Sequence, residues 1–405
     1  MFFVGDAPAI PTVSGRAVSR WPAEWKAVVD RPGNRVGFLT PVLNVGGAER
    51  WMLALARNSA STNWIGVAAI ESAASRRIVD QFNALMPVFA PYGAAGAWGG
   101  TYPAAGAWRA VEQIASHARA QALIVWGIGY LPALLPKSYK GRVIFVSHGS
   151  EGSRLEASWT RATIQAARPA VTDWVAVSTA AVRPFEGLIP RDQVTVLPNG
   201  IEPDRLRPAK SRKEVRAAWG FGPQDKVVGY VGRISVEKLP RAMFLAVAKL
   251  PGHYKAVYVG DFTPNPEAAG PFQEDAQAAL GDRVRFFPAT EAVGDIYRAL
   301  DVHFSASPAE GFGLANVEAL YCGCPLVTAR TGILVDMARS DGVFWEEIAP
   351  CDEPEDHANA IRLCAEACPR ILDKRASKAR EVIEARYLAR HQAARWEAYL
   401  AERLS

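Results

Sequence analysis

Two glutamates, Glu310 and Glu318, stand eight residues apart in the run Ser307-Pro-Ala-Glu310-Gly311-Phe312-Gly313-Leu314-Ala-Asn-Val-Glu318. The apolar residues 302–306 ahead of them read as a strand and residues 315–321 as a helix, so Glu310, Gly311 and Gly313 fall in the turn between. Glycine lets a chain come close to a ligand, and N–H groups at a helix start attract phosphate. A carboxylate on each side of such an anion site can grip hydroxyls that flank a diphosphate. A bare pair of glutamates would mean little; within a Gly-Phe-Gly turn the pair is specific. Arg233 and Lys238, five residues apart, span another strand-to-helix turn. There a guanidinium fork and an ammonium point charge can both reach one diphosphate. His148 ends the apolar run 143–147, and Gly46-Gly47 lies between a strand and a helix. Taken alone, a histidine at a strand end is more often a packed or capping residue, and a Gly-Gly pair only a tight turn.

These turns require a scaffold. From Arg35 onward, strand-like runs at 36–40, 65–70, 123–126, 143–147, 174–178 and 194–197 alternate with helical patterns near 48–58, 108–120 and 155–167. A second series has strands at 227–231, 256–259, 284–287, 302–306 and 325–328, with helices near 240–250, 292–299 and 315–321. Such alternation predicts parallel sheets with helices on both faces, and strands buried on both faces lack polar alternation. The expected fold class is α/β, with two Rossmann-like doubly wound domains facing across a cleft. Ligands of such sheets bind beyond the carboxyl ends of the strands, which suggests one substrate from each side. The expected divisions are an extension at 1–34, a first domain at 35–205, a second at 206–385, and a C-terminal helix at 386–405 packing back on the first. Residues 203–213, with Pro203, Pro208 and five basic residues, read as the hinge. Residues 369–404 read as two consecutive helices.

The chain has 405 residues, which suggests two or three domains. With 49% apolar and 21% charged residues it excludes a disordered or fibrous protein. The longest apolar runs are strand-length, so no transmembrane helix is expected. Residues 1–13 lack a basic start and a long apolar stretch, and a cytoplasmic location is expected. Five cysteines, four of them at 322, 324, 364 and 368, make no disulfide framework, and Cys322 and Cys324, on one apolar stretch, read as small buried residues. Residues 1–200 hold 19 Lys and Arg against 12 Asp and Glu, so the whole basic excess lies in the first half. That imbalance suits an anionic partner or an ordinary solvated face, while no block of five like charges marks a nucleic-acid tail.

The glutamate-bearing segment resembles the paired-glutamate signature of retaining, nucleotide-sugar-dependent glycosyltransferases of family four, which have the GT-B fold. Other segments resemble the same family in order. Asn44-Val-Gly46-Gly47-Ala-Glu49-Arg50 is similar to its glycine-rich first loop, and Val146-Ser-His148-Gly149 to its histidine-bearing strand end. Leu197-Pro-Asn199-Gly200-Ile201-Glu202 is similar to its interdomain turn, and Tyr230-Val-Gly232-Arg233-Ile-Ser-Val-Glu237-Lys238 to its basic donor-phosphate motif. The family often has glycine after that lysine, whereas this chain has Leu239-Pro240, and Pro240 suits the first turn of a helix. Residues 1–34 and 71–107 resemble nothing specific; in the family the latter region meets the acceptor.

The resemblance implies a retaining hexosyltransferase that moves a sugar from a UDP- or GDP-linked donor to a hydroxyl of a glycan, lipid-linked saccharide or small metabolite. Arg233 and Lys238 would neutralise the departing diphosphate in place of a metal, so no metal or other cofactor is expected. Glu318 would hold the ribose and Glu310 the donor sugar, with the N–H groups of Phe312, Gly313 and Leu314 facing phosphate. His148 would touch the donor sugar, and Gly46 and Gly47 would bring backbone close to donor or acceptor. Catalytic roles fall to Glu310, His148, Arg233 and Lys238, with no nucleophile named. Peripheral contact of the basic first domain with the inner face of the membrane is a further expectation. Two alternatives are a nucleotide-sugar-binding subunit without turnover, against which the intact charged set argues, and a DNA-base glycosyltransferase, for which no aromatic-basic groove is present. Nucleic acid is not an expected partner.

Overall fold

Short runs of Val, Ile, Leu and Phe, buried along their length, form two parallel sheets. The computed structural model describes residues 27–73, 75–89, 111–149, 154–262, 266–349 and 353–405. Strands β1 (Asn34–Leu43), β2 (Thr62–Ala73), β3 (Val88–Phe89), β4 (Ala122–Val125), β5 (Arg142–Ser147), β6 (Asp173–Ala176) and β7 (Val194–Val196) build the first sheet. Strands β8 (Lys226–Val231), β9 (Tyr254–Val259), β10 (Val284–Phe287), β11 (Val302–Ser305), β12 (Leu326–Thr328) and β13 (Glu346–Glu347) build the second. Their orders are β3-β2-β1-β4-β5-β6-β7 and β10-β9-β8-β11-β12-β13, with every ladder parallel. Both orders reverse beside the first strand of their half, opening a crevice between β1 and β4 and another between β8 and β11.

The doubly wound architecture expected from the alternation is therefore present. Two edge strands, β3 and β13, escape the sequence reading because two residues carry no periodic signal. The helices Ala269–Leu280, Leu334–Asp341 and Pro354–Ala365 were not anticipated either. Within the expected helix at 108–120, the described part includes a π-helical turn at Gln113–His117.

The chain crosses between the domains twice, and the crossings lie side by side. Ile201 N–H donates to the Tyr387 carbonyl at 2.9 Å and Ala389 N–H to the Ile201 carbonyl at 2.8 Å, an isolated parallel bridge between Ile201 and Leu388. The expected hinge at 203–213 is instead docked on the second domain. Asp295 accepts from the N–H groups of Ala209 (2.6 Å) and Lys210 (2.9 Å), and Ser211 with Glu214 forms a capping box for the helix Arg212–Ala218. Arg212 and Arg216 both pair with Asp301. A run of prolines and bases looks like solvated linker, but here Arg205 and Arg212 find carboxylates across the domain surface.

After the second crossing the helix Ala389–Leu404 lies against the helix Gly47–Asn58 of the first domain. Trp396 and Trp51 rings meet at 5.7 Å between centroids. Buried Gln392 donates to the Trp51 carbonyl at 3.0 Å and accepts from Gly200 N–H at 2.8 Å, joining first domain, crossing and last helix. Most of the expected extension at 1–34 lies outside the described residues. Its last part is tied to the first sheet, since the Asn63 amide donates to the carbonyls of Val28 (2.9 Å) and Arg31 (3.1 Å).

Trp396 is fully buried. Trp396→Ala should cost about 3–5 kcal/mol of stability in urea unfolding, the usual loss for an aromatic ring removed from a core. A loss below about 1 kcal/mol would mean that the last helix is not part of the cooperative unit.

Candidate functional site

At the β8–β11 crevice two loops meet. After β8 the chain passes Gly232 and Arg233, forms a 3₁₀ turn at Val236–Lys238, and enters the helix Arg241–Ala248. Buried Tyr230 donates its hydroxyl to the Arg233 carbonyl at 2.7 Å and fixes the loop. Leu239 ends the turn in the left-handed region, φ 49° and ψ 49°. This is the position where the resembled family often has glycine. A leucine there carries strain of about 1–2 kcal/mol, held by the packed turn and by Pro240, whose fixed φ suits the position before the helix.

After β11 the Ser307 hydroxyl donates to the Ala309 carbonyl at 2.9 Å, and Gly313 at φ 82° turns the chain into the helix Leu314–Tyr321. Lys238 Nζ reaches Glu310 Oε1 at 2.8 Å across the two loops, and Arg233 pairs with Glu237 at 2.7 Å. The structure thus brings Lys238 and Glu310 together, and each of the two expected phosphate-binding cations rests against a carboxylate. Phe312 is buried, with its ring 6.3 Å from that of Tyr387.

Glu318 lies one turn into its helix, buried beside Tyr297 and Arg205. Arg205 Nη1 donates to Glu318 Oε1 at 3.2 Å, and the Tyr297 hydroxyl to Oε2 at 3.4 Å. Burial raises the Glu318 carboxyl, and Arg205 opposes the rise. Sequence reasoning missed Arg205 because it sits in the stretch read as hinge; its one signal is its place just after the Asn199-Gly200-Ile201-Glu202 turn.

The first domain closes the other side. Gly46 caps the helix Gly47–Asn58 in extended conformation, and Glu49, in the first helical turn, accepts Asn44 N–H at 3.1 Å. Glu49 is only 3% exposed. Burial pushes its carboxyl up to about 7, against backbone hydrogen bonds and the nearby charges of Arg233 and Arg50. A side-chain carbon at Gly47 would touch Leu314 of the second domain at 3.8 Å. The two domains are therefore in contact at the glycine loop.

His148 ends β5 as expected, but its ring is packed edge-on to Trp51 (4.7 Å between centroids) and Trp126 (5.8 Å). Burial lowers its pKa to about 3, so the imidazole is neutral, and its Nε2 has no hydrogen-bond partner among the described residues. Its carbonyl meets the second domain: a side-chain carbon at Gly311 would lie 1.5 Å from that oxygen, so only glycine fits. Ser178 Oγ also donates to the Gly311 carbonyl, at 2.5 Å. The sequence assigned Gly311 to ligand approach; here it admits the neighbouring domain. Residues 90–110, which cover much of the region expected to meet the acceptor, lie outside the described residues.

Residues 211–380 match the family model described as glycosyl transferases group 1. The D-inositol 3-phosphate glycosyltransferase of Mycolicibacterium smegmatis is 36% identical over 161 residues, 38% of this chain and 36% of that protein. The protein of the same name from Mycobacterium bovis is 33% identical over 199 residues, 46% of this chain and 40% of its own. The matches thus span well under half the length of these curated relatives. Among solved structures, Anabaena HepE in complex with UDP and glucose superposes with a TM-score of 0.75 at 20% identity, covering 91% of this chain and all of that one. WaaG, a glycosyltransferase involved in lipopolysaccharide biosynthesis, gives 0.66 at 16% identity, covering 90% of this chain and 99% of that one. At such identities the likeness establishes the GT-B fold.

Glu49 generates a pH test. Its folded-state pKa of about 7 lies above the ordinary 4.5, so its contribution to stability is fully present below 4.5 and lost as pH rises through 7. Glu49→Gln should remove that component, flattening melting temperature against pH between about 4.5 and 7. An unchanged slope would show that Glu49 is ionised throughout.

Proposed function

We propose that this chain, whose residues 211–380 match the family model of glycosyl transferases group 1 and whose two sheets form a GT-B fold, transfers a sugar from a nucleoside-diphosphate sugar to an acceptor hydroxyl. The observation that carries the reading is the Lys238–Glu310 pair at 2.8 Å across the β8–β11 crevice, with the Glu318–Arg205 pair one turn into the helix that follows. Diphosphate, sugar and ribose are three of the four parts of such a donor, the fourth being the base. These residues offer a cation for the first and a carboxylate each for the sugar and the ribose.

In the transfer, the bond from the anomeric carbon to the diphosphate breaks and its electron pair leaves on the phosphate oxygen, while the acceptor hydroxyl oxygen bonds to that carbon and its proton passes to the departing diphosphate. Lys238 and Arg233 stabilise the departing charge, aided by the N–H groups of Gly313 and Leu314 at the helix start. Glu310 holds donor-sugar hydroxyls near the reacting carbon, and Glu318 holds the ribose. His148, neutral and wedged between tryptophans, contributes shape and an uncharged ring nitrogen rather than positive charge. We assign retention at the anomeric carbon by same-face attack, with positioning and electrostatics supplying most of the rate. Two protein cations at the diphosphate make a divalent metal unnecessary in this reading.

UDP is the first nucleotide to test, because the Anabaena neighbour binds it, with GDP second. Acceptor trials should include inositol phosphates, on which the named relatives act, beside glycans and lipid-linked saccharides. Among the described residues no helix is long and apolar enough to cross a membrane. Contact of the first domain with an anionic membrane surface belongs to the proposal.

The deciding experiment measures UDP binding by calorimetry and UDP release from a panel of UDP-sugars. Glu318→Gln loses charge-assisted hydrogen bonds worth roughly 1.5–3 kcal/mol, so UDP affinity should fall about ten- to hundredfold. Glu310→Gln frees Lys238 from its partner, so UDP affinity should hold or rise while transfer falls strongly. Equal loss of UDP binding in both variants would overturn the division of roles. Transfer should also survive EDTA; abolition by the chelator with recovery on adding magnesium or manganese would refute metal independence.

A further inference from the structure

The helices Gly47–Asn58 and Arg76–Asn83 turn a basic face toward the second domain: Arg50 and Arg57 from one, Arg77 with Gln81 from the other. The facing surface carries Glu202 at the crossing, Glu291 in the loop after β10, and Glu318. Arg57 pairs with Glu202 at 3.3 Å. One oxygen of Glu291 accepts from both Arg50 and Arg77, and the other from Arg205 Nε at 3.3 Å. Arg205 in turn passes its Nη1 to Glu318. Thus a single carboxylate, 44% exposed, is shared by two guanidiniums of the first domain and by the one that grips Glu318.

Without Glu291 this arrangement would be repulsive. Arg50, at 11% side-chain exposure, and Arg205, at 19%, are poorly hydrated and face Arg77 as well. Burial alone would raise the Glu291 carboxyl, but the hydrogen bonds from Arg50 and Arg77 outweigh it and hold it at about 2, so the carboxylate stays charged across the working pH range. Removing Glu291 leaves Arg50, Arg77 and Arg205 facing one another with that part of their charge uncompensated.

We infer that Glu291 is an interdomain latch and Arg205 a positioning residue, together coupling closure of the first domain to the grip of Glu318 on the nucleoside. With Arg50 and Arg77 seated on Glu291, Arg205 is anchored from one side and presents its other nitrogen to Glu318. When the first domain swings away, Glu291 loses Arg50, Arg77 and Gln81, three of its four partners among the described residues, and Arg205 is less constrained, so the Glu318 carboxylate is less well oriented. The donor nucleoside and domain closure would then favour each other. The inference rests on the assignment of Glu318 to ribose in the proposed function.

The test uses the full chain as wild type, Glu291→Gln, Arg50→Gln, the double variant of these two, Arg205→Gln and Arg205→Lys. UDP binding is read by calorimetry, donor KM and kcat by UDP release, and compactness without ligand by small-angle scattering. Each single change at Glu291 or Arg50 should weaken UDP about five- to tenfold, raise donor KM more than it lowers kcat, and enlarge the radius of gyration. The double variant should be no worse than the worse single one, because both remove one linkage. Arg205→Lys should restore less than half of the affinity lost in Arg205→Gln, since a point charge cannot serve two carboxylates as a fork does. Unchanged UDP affinity in Glu291→Gln, or strictly additive losses, would overturn the coupling while leaving the proposed function intact. If the wild type binds neither UDP nor GDP the proposed function fails, and scattering then decides the latch alone: an unchanged radius of gyration in Glu291→Gln refutes it.

Discussion

The pairing of Ile201 with Leu388 holds the two chain crossings together, and the relative placement of everything else follows from it. Two backbone hydrogen bonds at 2.8 and 2.9 Å bind segments nearly two hundred residues apart, so the domains are joined by a narrow two-stranded seam. Gln392 extends the seam into the first domain through Trp51. Because both sheets reverse order beside their first strand, both crevices open at carboxyl strand ends, and the seam brings the two openings against each other. A joint with so few backbone links permits rotation, while the glycine at 311 and the contact at Gly47 let the closed faces meet without a gap.

Charge is then distributed so that every principal cation of the cleft already has a carboxylate beside it. Lys238 has Glu310, Arg233 has Glu237, and Arg205 has Glu318 and Glu291. Clustered guanidiniums in a half-buried cleft would otherwise repel one another at low local dielectric. A diphosphate entering such a cleft finds charges held in place, which suits stabilisation of a leaving group more than loose attraction would. Part of the basic excess of the first half is likewise spent within the chain, on Glu202 and Glu291, and is therefore not all available to an outside partner.

One of the two described non-glycine residues with positive φ lies in the same place. Leu239 adopts a left-handed conformation in the loop that carries Arg233 and Lys238, between a buried tyrosine that fixes the loop start and a proline that opens the helix. The penalty is tolerated because packing on both sides leaves the turn no alternative. On the opposite face of the cleft, Glu49 plays the matching role for the glycine loop, tying its backbone from beneath.

The local spacing of residues by itself determined the parallel α/β architecture, the two halves, and the turns in which Glu310, Arg233, Lys238, Gly46 and Gly313 lie. Strand and helix periodicities, glycines at strand ends and cations in short turns are all properties of contiguous sequence, and they remain readable there. Tertiary structure alone decided which charges meet. Arg205 looked like linker because its partners, Glu318 and Glu291, are 113 and 86 residues away. Gly311 looked like a ligand cradle because the carbonyl it accommodates belongs to the other domain. Nothing local to His148 announces that Trp51 and Trp126 enclose its ring. Burial and ion pairing arise from surfaces brought together across the seam, and no short window of sequence contains both sides.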